Sequence, residues 1–85
     1  MIVVYSKPNC PHCENAKTWL TNYKFTFDVV DITENTSAKD FLVAQGHRTV
    51  PQIYSNNGKL LVEGGYSVMT QLGPEILRER IENAI

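Results

Sequence analysis

Apolar and polar positions recur along the chain with different periods, and each period predicts an element. Ile2 to Tyr5 (IVVY) are β-branched or aromatic and stop at Lys7-Pro8-Asn9, the pattern of a short buried strand followed by a turn. The period then lengthens. Cys13, Ala16 and Leu20, with Trp19 and Tyr23 beside them, fall at helical spacings, which predicts a helix from Pro11 to about Asn22 with one apolar face. Pro11 suits the first turn of that helix, where a missing N–H costs nothing. Phe25 to Ile32 (FTFDVVDI) predicts a second strand, with Phe25, Phe27 and Val29 on one face and Val30 and Ile32 on the other. Strand, helix and strand in this order make a βαβ unit.

Thr36 or Ser37 is expected to cap a second helix whose Ala38, Phe41 and Leu42 share a face, and Gly46 to end it in the left-handed conformation. Gln52 to Ser55 and Leu60 to Glu63 are expected strands around Asn56-Asn57-Gly58, because Asn-Gly is a strong hairpin signal. A last helical segment is expected to begin near Ser67 and to break at Gly73-Pro74. The stripe Ile76, Leu77, Ile81 and Ala84 then continues it. Trp19, Phe41, Leu77 and Ile81 read as core. With no repeat, linker or low-complexity tract, residues 1–85 are expected to form one domain.

The chain has 85 residues, 42% hydrophobic and 20% charged, with a net charge of -1, as in ordinary globular domains rather than disordered tails. Eight Lys+Arg against nine Asp+Glu leave no electrostatic footprint for nucleic acid. Met1 to Ser6 lacks the basic start and long apolar run of a secretory signal, and no stretch approaches the roughly 20 apolar residues of a membrane span. The expected address is therefore the cytoplasm, with neither membrane nor nucleic acid as a partner. So short a chain has little surplus stability for an elaborate buried cavity, which predicts a shallow site. Two cysteines three residues apart add little by closing a loop, so their spacing points to chemistry or to metal.

The chemistry concentrates at Cys10-Pro11-His12-Cys13, after a strand and on the first turn of a helix. Unpaired N–H groups and the positive end of the helix dipole stabilise an anion there, which pulls the Cys10 thiol below its ordinary pKa and favours the reactive thiolate. Residues three apart on a helix stand about 5–6 Å apart at Cβ, so Cys13 can resolve a mixed disulfide on Cys10. Two small buried apolar residues would be the bland alternative. A metal site is the rival, because Cys10, His12 and Cys13 could supply three ligands, but tetrahedral zinc usually needs a fourth and His47 is isolated. C-x-x-C in a βαβ context favours redox chemistry. His12 is expected to be exposed and to tune local polarity.

From these residues the chain resembles a glutaredoxin, on the thioredoxin-like fold. Tyr5-Ser6-Lys7-Pro8-Asn9-Cys10-Pro11-His12-Cys13 is similar to the family's Y-S-K-x-x-C-P-Y-C stretch, Thr49-Val50-Pro51 to its T-V-P motif and Gly64-Gly65 to its G-G pair. The resemblance spans nearly the whole chain. It implies an α/β fold with a four-stranded mixed sheet, order 2-1-3-4, flanked by helices. The first two strands are then parallel and the last two form a hairpin. The pattern of residues alone supplies the elements but not that order.

The resemblance also implies a catalytic pair, Cys10 and Cys13, and a glutathione groove made by Lys7, Thr49, Val50, Pro51, Gly65, Tyr66 and Ser67. Pro51 would follow a cis bond and face the dithiol, with Val50 offering its backbone to the cysteinyl part of glutathione. Gly64-Gly65 would let the backbone approach the γ-glutamyl carboxylate, Ser67 would cap the helix and bond that carboxylate, and Lys7 would steady the thiolate and meet the glycyl carboxylate. Gln52 and Arg48 are weaker candidates for the glycyl end, and Tyr5 packs beside the site.

One departure stands out, since Tyr66-Ser67-Val68 brings only a hydroxyl where many glutaredoxins carry acidic groups. No tightly bound cofactor or metal is implied, with glutathione acting as co-substrate. The partners implied for a monomeric protein are glutathione and disulfide-bearing or glutathionylated proteins, ribonucleotide reductase being one candidate. Electron supply by a thioredoxin reductase is the alternative within the class. Outside it, an iron–sulfur carrier would hold a cluster through Cys10 and glutathione, and Pro11 argues against it.

Overall fold

The computed structural model describes residues 1–84; Ile85, the last residue of the expected domain, lies outside them. The chain runs β1 (Ile2–Ser6), α1 (Pro11–Asn22), β2 (Phe27–Asp31), α2 (Thr36–Ala44), β3 (Gln52–Ser55), β4 (Leu60–Val62) and α3 (Tyr66–Asn83). The strands form one mixed sheet in the order β2-β1-β3-β4, as the resemblance implies. β1 pairs parallel with β2 and antiparallel with β3, and β3 pairs antiparallel with β4.

The alternation along β1 decides what packs where. Ile2 and Val4, opposite Ser55 and Ile53 of β3, put their side chains into a core with Ala16 and Leu20 of α1 and with Met69 and Leu77 of α3. Fully burying each of the larger aliphatic chains contributes about 1.5–3 kcal/mol. Tyr5 points to the other face, where Phe41 of α2 and Tyr54 of β3 close an aromatic cluster with ring centroids 5.2 to 5.8 Å apart. Tyr54 is buried there, which raises its phenol pKa, and neighbouring Tyr5 adds to the effect. His47, just past α2, shares a 2.6 Å hydrogen bond with the Tyr54 hydroxyl.

Several element ends differ from the expectations, each for a local reason. β2 begins at Phe27, because the Lys24 and Phe25 N–H groups donate to Thr21 and Leu20 and so close the end of α1. Phe25 instead stacks its ring on Trp19, 6.1 Å away. Val29 is 47% exposed on a strand at the sheet edge, so Phe25, Phe27 and Val29 do not form one buried face. The cap of α2 is Asn35 rather than Thr36 or Ser37; its side chain accepts the Ala38 N–H at 3.0 Å.

β4 stops at Val62, one residue short of Glu63. α3 starts at Tyr66, with Gly65 as the cap residue and no side-chain cap bond, so Ser67 sits inside the first turn and does not cap it. The helix kinks at Gly73-Pro74, where the Gly73 φ is 83°. Beyond the kink Leu77 and Ala84 are buried and Ile81 half-buried, whereas Ile76 faces water. The hairpin closes through the Gly58 N–H to the Ser55 carbonyl, and the Asn57 amide donates to the Ala84 carbonyl, tying the turn to the end of α3.

Candidate active site

β1 delivers the chain to the sheet's end, and the turn Lys7-Pro8-Asn9 sends it into α1. Asn9 takes φ 58°, a conformation asparagine tolerates better than most residues. Cys10 is the N-cap of α1, in extended backbone, and Pro11 follows in the first turn. The Cys10 Sγ accepts the Cys13 N–H at 3.2 Å, the bond a capping side chain makes with the third helical residue. Cys10 is 7% exposed and Cys13 is fully buried. The two are joined as a disulfide, with Cα atoms 5.2 Å apart.

On reduction, the accepted N–H and the helix dipole both favour negative charge on the Cys10 sulfur. Glu14, in the same turn, would oppose this. Its carboxylate is engaged by Lys17 at 2.7 Å, which partly neutralises it, although an exposed pair of this kind contributes little stability.

The T-V-P segment lies beside the pair. The Val50–Pro51 peptide is cis, and the Val50 carbonyl oxygen stands 3.8 Å from the Cys10 Sγ. Thr49, Val50 and Pro51 form one wall of a groove of about 270 Å³ whose other wall is Gly64, Gly65, Tyr66 and Ser67. Gly65 has φ +77°, and a Cβ there would meet the Pro51 carbonyl oxygen at 3.1 Å, so the two walls approach closely only because this residue has no side chain.

Lys7 and Arg48 lie elsewhere, in a neighbouring cavity of about 170 Å³ that shares Thr49 and Val50 with the groove. Gln52 lines neither. It is 3% exposed, and its amide donates to the Thr49 carbonyl at 2.8 Å, so it braces the T-V-P segment from behind. His12 is exposed, as the sequence implies, and it also lines the groove, with its ring 6.4 Å from that of Tyr66. Its place between the cysteines on the first helical turn was the available signal. Among the described residues no three His, Cys, Asp or Glu side chains converge as a metal site.

A thiol pair on the first turn of a helix, beside a cis proline and an open groove, defines a thiol-disulfide oxidoreductase on a thioredoxin-like fold. The Glutaredoxin family model matches residues 2–61. The glutaredoxin-like protein NrdH of Lactococcus lactis subsp. lactis (strain IL1403) is 36% identical over 53 residues, 62% of this chain and 74% of that protein. The N-acetyl-S-hydroxy-L-cysteine reductase of Bacillus subtilis (strain 168) is 34% identical over 83 residues, 96% of this chain and 84% of that protein. Among solved structures, the glutaredoxin-like protein NrdH-redoxin from Escherichia coli superposes with a TM-score of 0.71 at 25% identity, covering 86% of this chain and 95% of that one. The chain belongs to the glutaredoxin family.

Proposed function

We propose that this oxidoreductase reduces protein disulfides and protein–glutathione mixed disulfides with electrons from glutathione. The observation that carries the reading is the Val50 wall, 3.8 Å from the Cys10 Sγ, with Lys7 and Arg48 beyond one side and the Gly65-Tyr66-Ser67 helix start on the other. A tripeptide joined through its cysteine to Cys10 then finds a cation for one carboxylate and unpaired helix N–H groups for the other. The contacts are exposed and should weaken with salt.

The Cys10 thiolate attacks one sulfur of the substrate disulfide, and the other leaves as a thiolate that takes up a proton. The Cys13 thiolate then attacks the Cys10 sulfur and expels the second substrate sulfur, so two electrons pass to the substrate and the Cys10–Cys13 disulfide remains. One glutathione thiolate attacks Cys10 and frees Cys13. A second attacks the glutathione sulfur of that mixed disulfide, giving oxidised glutathione and the Cys10 thiolate.

A second reading takes electrons from a thioredoxin reductase. It is favoured by Val68, which packs over Gly64 where an acidic group could have met the ligand's ammonium, and by relatives named glutaredoxin-like NrdH. A paired assay separates the two: hydroxyethyl disulfide reduction coupled to glutathione with glutathione reductase, and the same reaction coupled to thioredoxin reductase. N-acetyl-S-hydroxy-L-cysteine, named for the Bacillus subtilis relative, is a third substrate to include. Turnover with glutathione supports the proposal; turnover with thioredoxin reductase alone rejects it.

A further inference from the structure

Val50 has two sides. Toward α3 it walls the groove, and toward α2 it walls the second cavity, whose floor is aliphatic, with Ile32, Leu42 and Val43. Val43 is 63% exposed and, with Ile32 and Leu42, gives the depression apolar surface that is open to solvent. The rim is cationic: Lys7, Lys39 and Arg48 line it, and no Asp or Glu does. Three of the eight Lys+Arg of a chain with net charge -1 thus gather at one depression. Among the described residues none of these three forms a salt bridge. Lys39 and Val43 on α2 have no part in the glutathione reading.

Size and place point to the occupant. About 170 Å³ far exceeds the ~10–15 Å³ that one water needs, so the cavity has room for a side chain. Its shared wall lies 3.8 Å from the Cys10 Sγ, and a chain gains up to about 3.3–3.6 Å per residue. A residue one or two positions from a cysteine held at Cys10 therefore reaches it. We propose that this cavity docks the segment of a protein substrate next to its reacting cysteine, and that it selects a segment with an apolar side chain followed by acidic ones. The inference rests on the disulfide-reducing role of Cys10 and Cys13 but not on the source of their electrons.

The test is single-turnover reduction by the full chain, reduced beforehand with dithiothreitol and freed of it, so that no reductase enters. The substrates are hydroxyethyl disulfide and two blocked peptides with the same disulfide loop, one flanked by Leu-Glu-Glu and one by Leu-Lys-Lys. The acidic peptide should react about fivefold faster at low ionic strength, and the difference should shrink in high salt. Lys39→Glu should reverse the preference while leaving the hydroxyethyl disulfide rate unchanged. Val43→Asp should slow the acidic peptide but not hydroxyethyl disulfide. Equal rates for the two peptides, or a Lys39→Glu effect shared by all three substrates, would overturn the docking site alone. Failure to reduce even hydroxyethyl disulfide would instead remove the dithiol reading on which it rests.

Discussion

Gln52 donates its side-chain amide to the carbonyl oxygen of Thr49 at 2.8 Å, and so couples the first residue of β3 to the loop that faces Cys10. The bond is buried on its Gln52 side.

The first prediction concerns that bond. Gln52→Leu loses one buried hydrogen bond and should cost about 1 kcal/mol in urea unfolding. Gln52→Glu sets a carboxylate oxygen against the Thr49 carbonyl in a buried place, so it should cost more at neutral pH. Burial raises the folded pKa of that new carboxyl, so its penalty should diminish as pH falls and the protonated group can donate to Thr49. Equal stability of the two variants at neutral pH would contradict the coupling.

A second prediction tests the close approach of the groove walls. Gly65→Ala must hold a side chain at φ +77° and place its Cβ 3.1 Å from the Pro51 carbonyl oxygen. With ψ at −147° the backbone sits beside a region essentially restricted to glycine, and holding a side chain there costs on the order of 1–3 kcal/mol. Thermal unfolding should register that loss. Reduction of glutathione mixed disulfides should fall more than reduction of hydroxyethyl disulfide, because only the larger substrate needs the groove. Retention of both rates and of stability would contradict this geometry.

Val68 is the third case. It is half-buried against the core, and its Cγ2 lies 2.6 Å from where a Cβ on Gly64 would be, so it fills space as well as lacking charge. Val68→Asp should destabilise the fold by about 1 kcal/mol through lost burial. Any gain in glutathione turnover should be a few-fold at most, since an exposed ion pair contributes about 0.2–1 kcal/mol. Denaturant titration and steady-state kinetics on one preparation measure both, and a tenfold gain in turnover would contradict the assignment of an exposed, weak pair.

Asp31 supplies a prediction in pH. The Thr33 hydroxyl first, and then the Thr33 N–H, bond its carboxylate and hold its pKa below 3.8. A depressed folded pKa means stability that is present above the unfolded pKa and lost as pH falls through the folded one. Thr33→Val removes the hydroxyl bond, so the Asp31 carboxyl should titrate at higher pH in a carbon-detected NMR titration. An unmoved titration would show that the hydroxyl is not the cause.

The sequence reveals the site where chemistry and local geometry coincide, and conceals it where tertiary packing decides. Cys10-Pro11-His12-Cys13 and Asn56-Asn57-Gly58 are legible because a cap, a proline and a turn act within a few residues. The sheet order came from resemblance, since no periodicity states which strand sits beside which. Asn35 is not distinguishable as the cap from sequence, because three adjacent residues, Asn35, Thr36 and Ser37, all suit that role. Val29 and Ile76 follow apolar patterns yet face water, because one lies at the sheet edge and the other, one position before Leu77, sits about 100° round the helix from the face that Leu77 and Ala84 bury. The division of Lys7 and Arg48 from the Gly65–Ser67 groove was invisible for the same reason: Val50 separates them in space, not in sequence.

The central claim is that Cys10, at 7% exposure and capping α1, is the attacking sulfur and that buried Cys13 resolves. The most direct measurement is to react reduced Cys13→Ser with a glutathionylated peptide and locate the trapped mixed disulfide by mass spectrometry. It is expected on Cys10, with Cys10→Ser trapping nothing under the same conditions. A stable adduct on Cys13 in the Cys10→Ser variant, formed as fast as any on Cys10 in Cys13→Ser, would contradict the account.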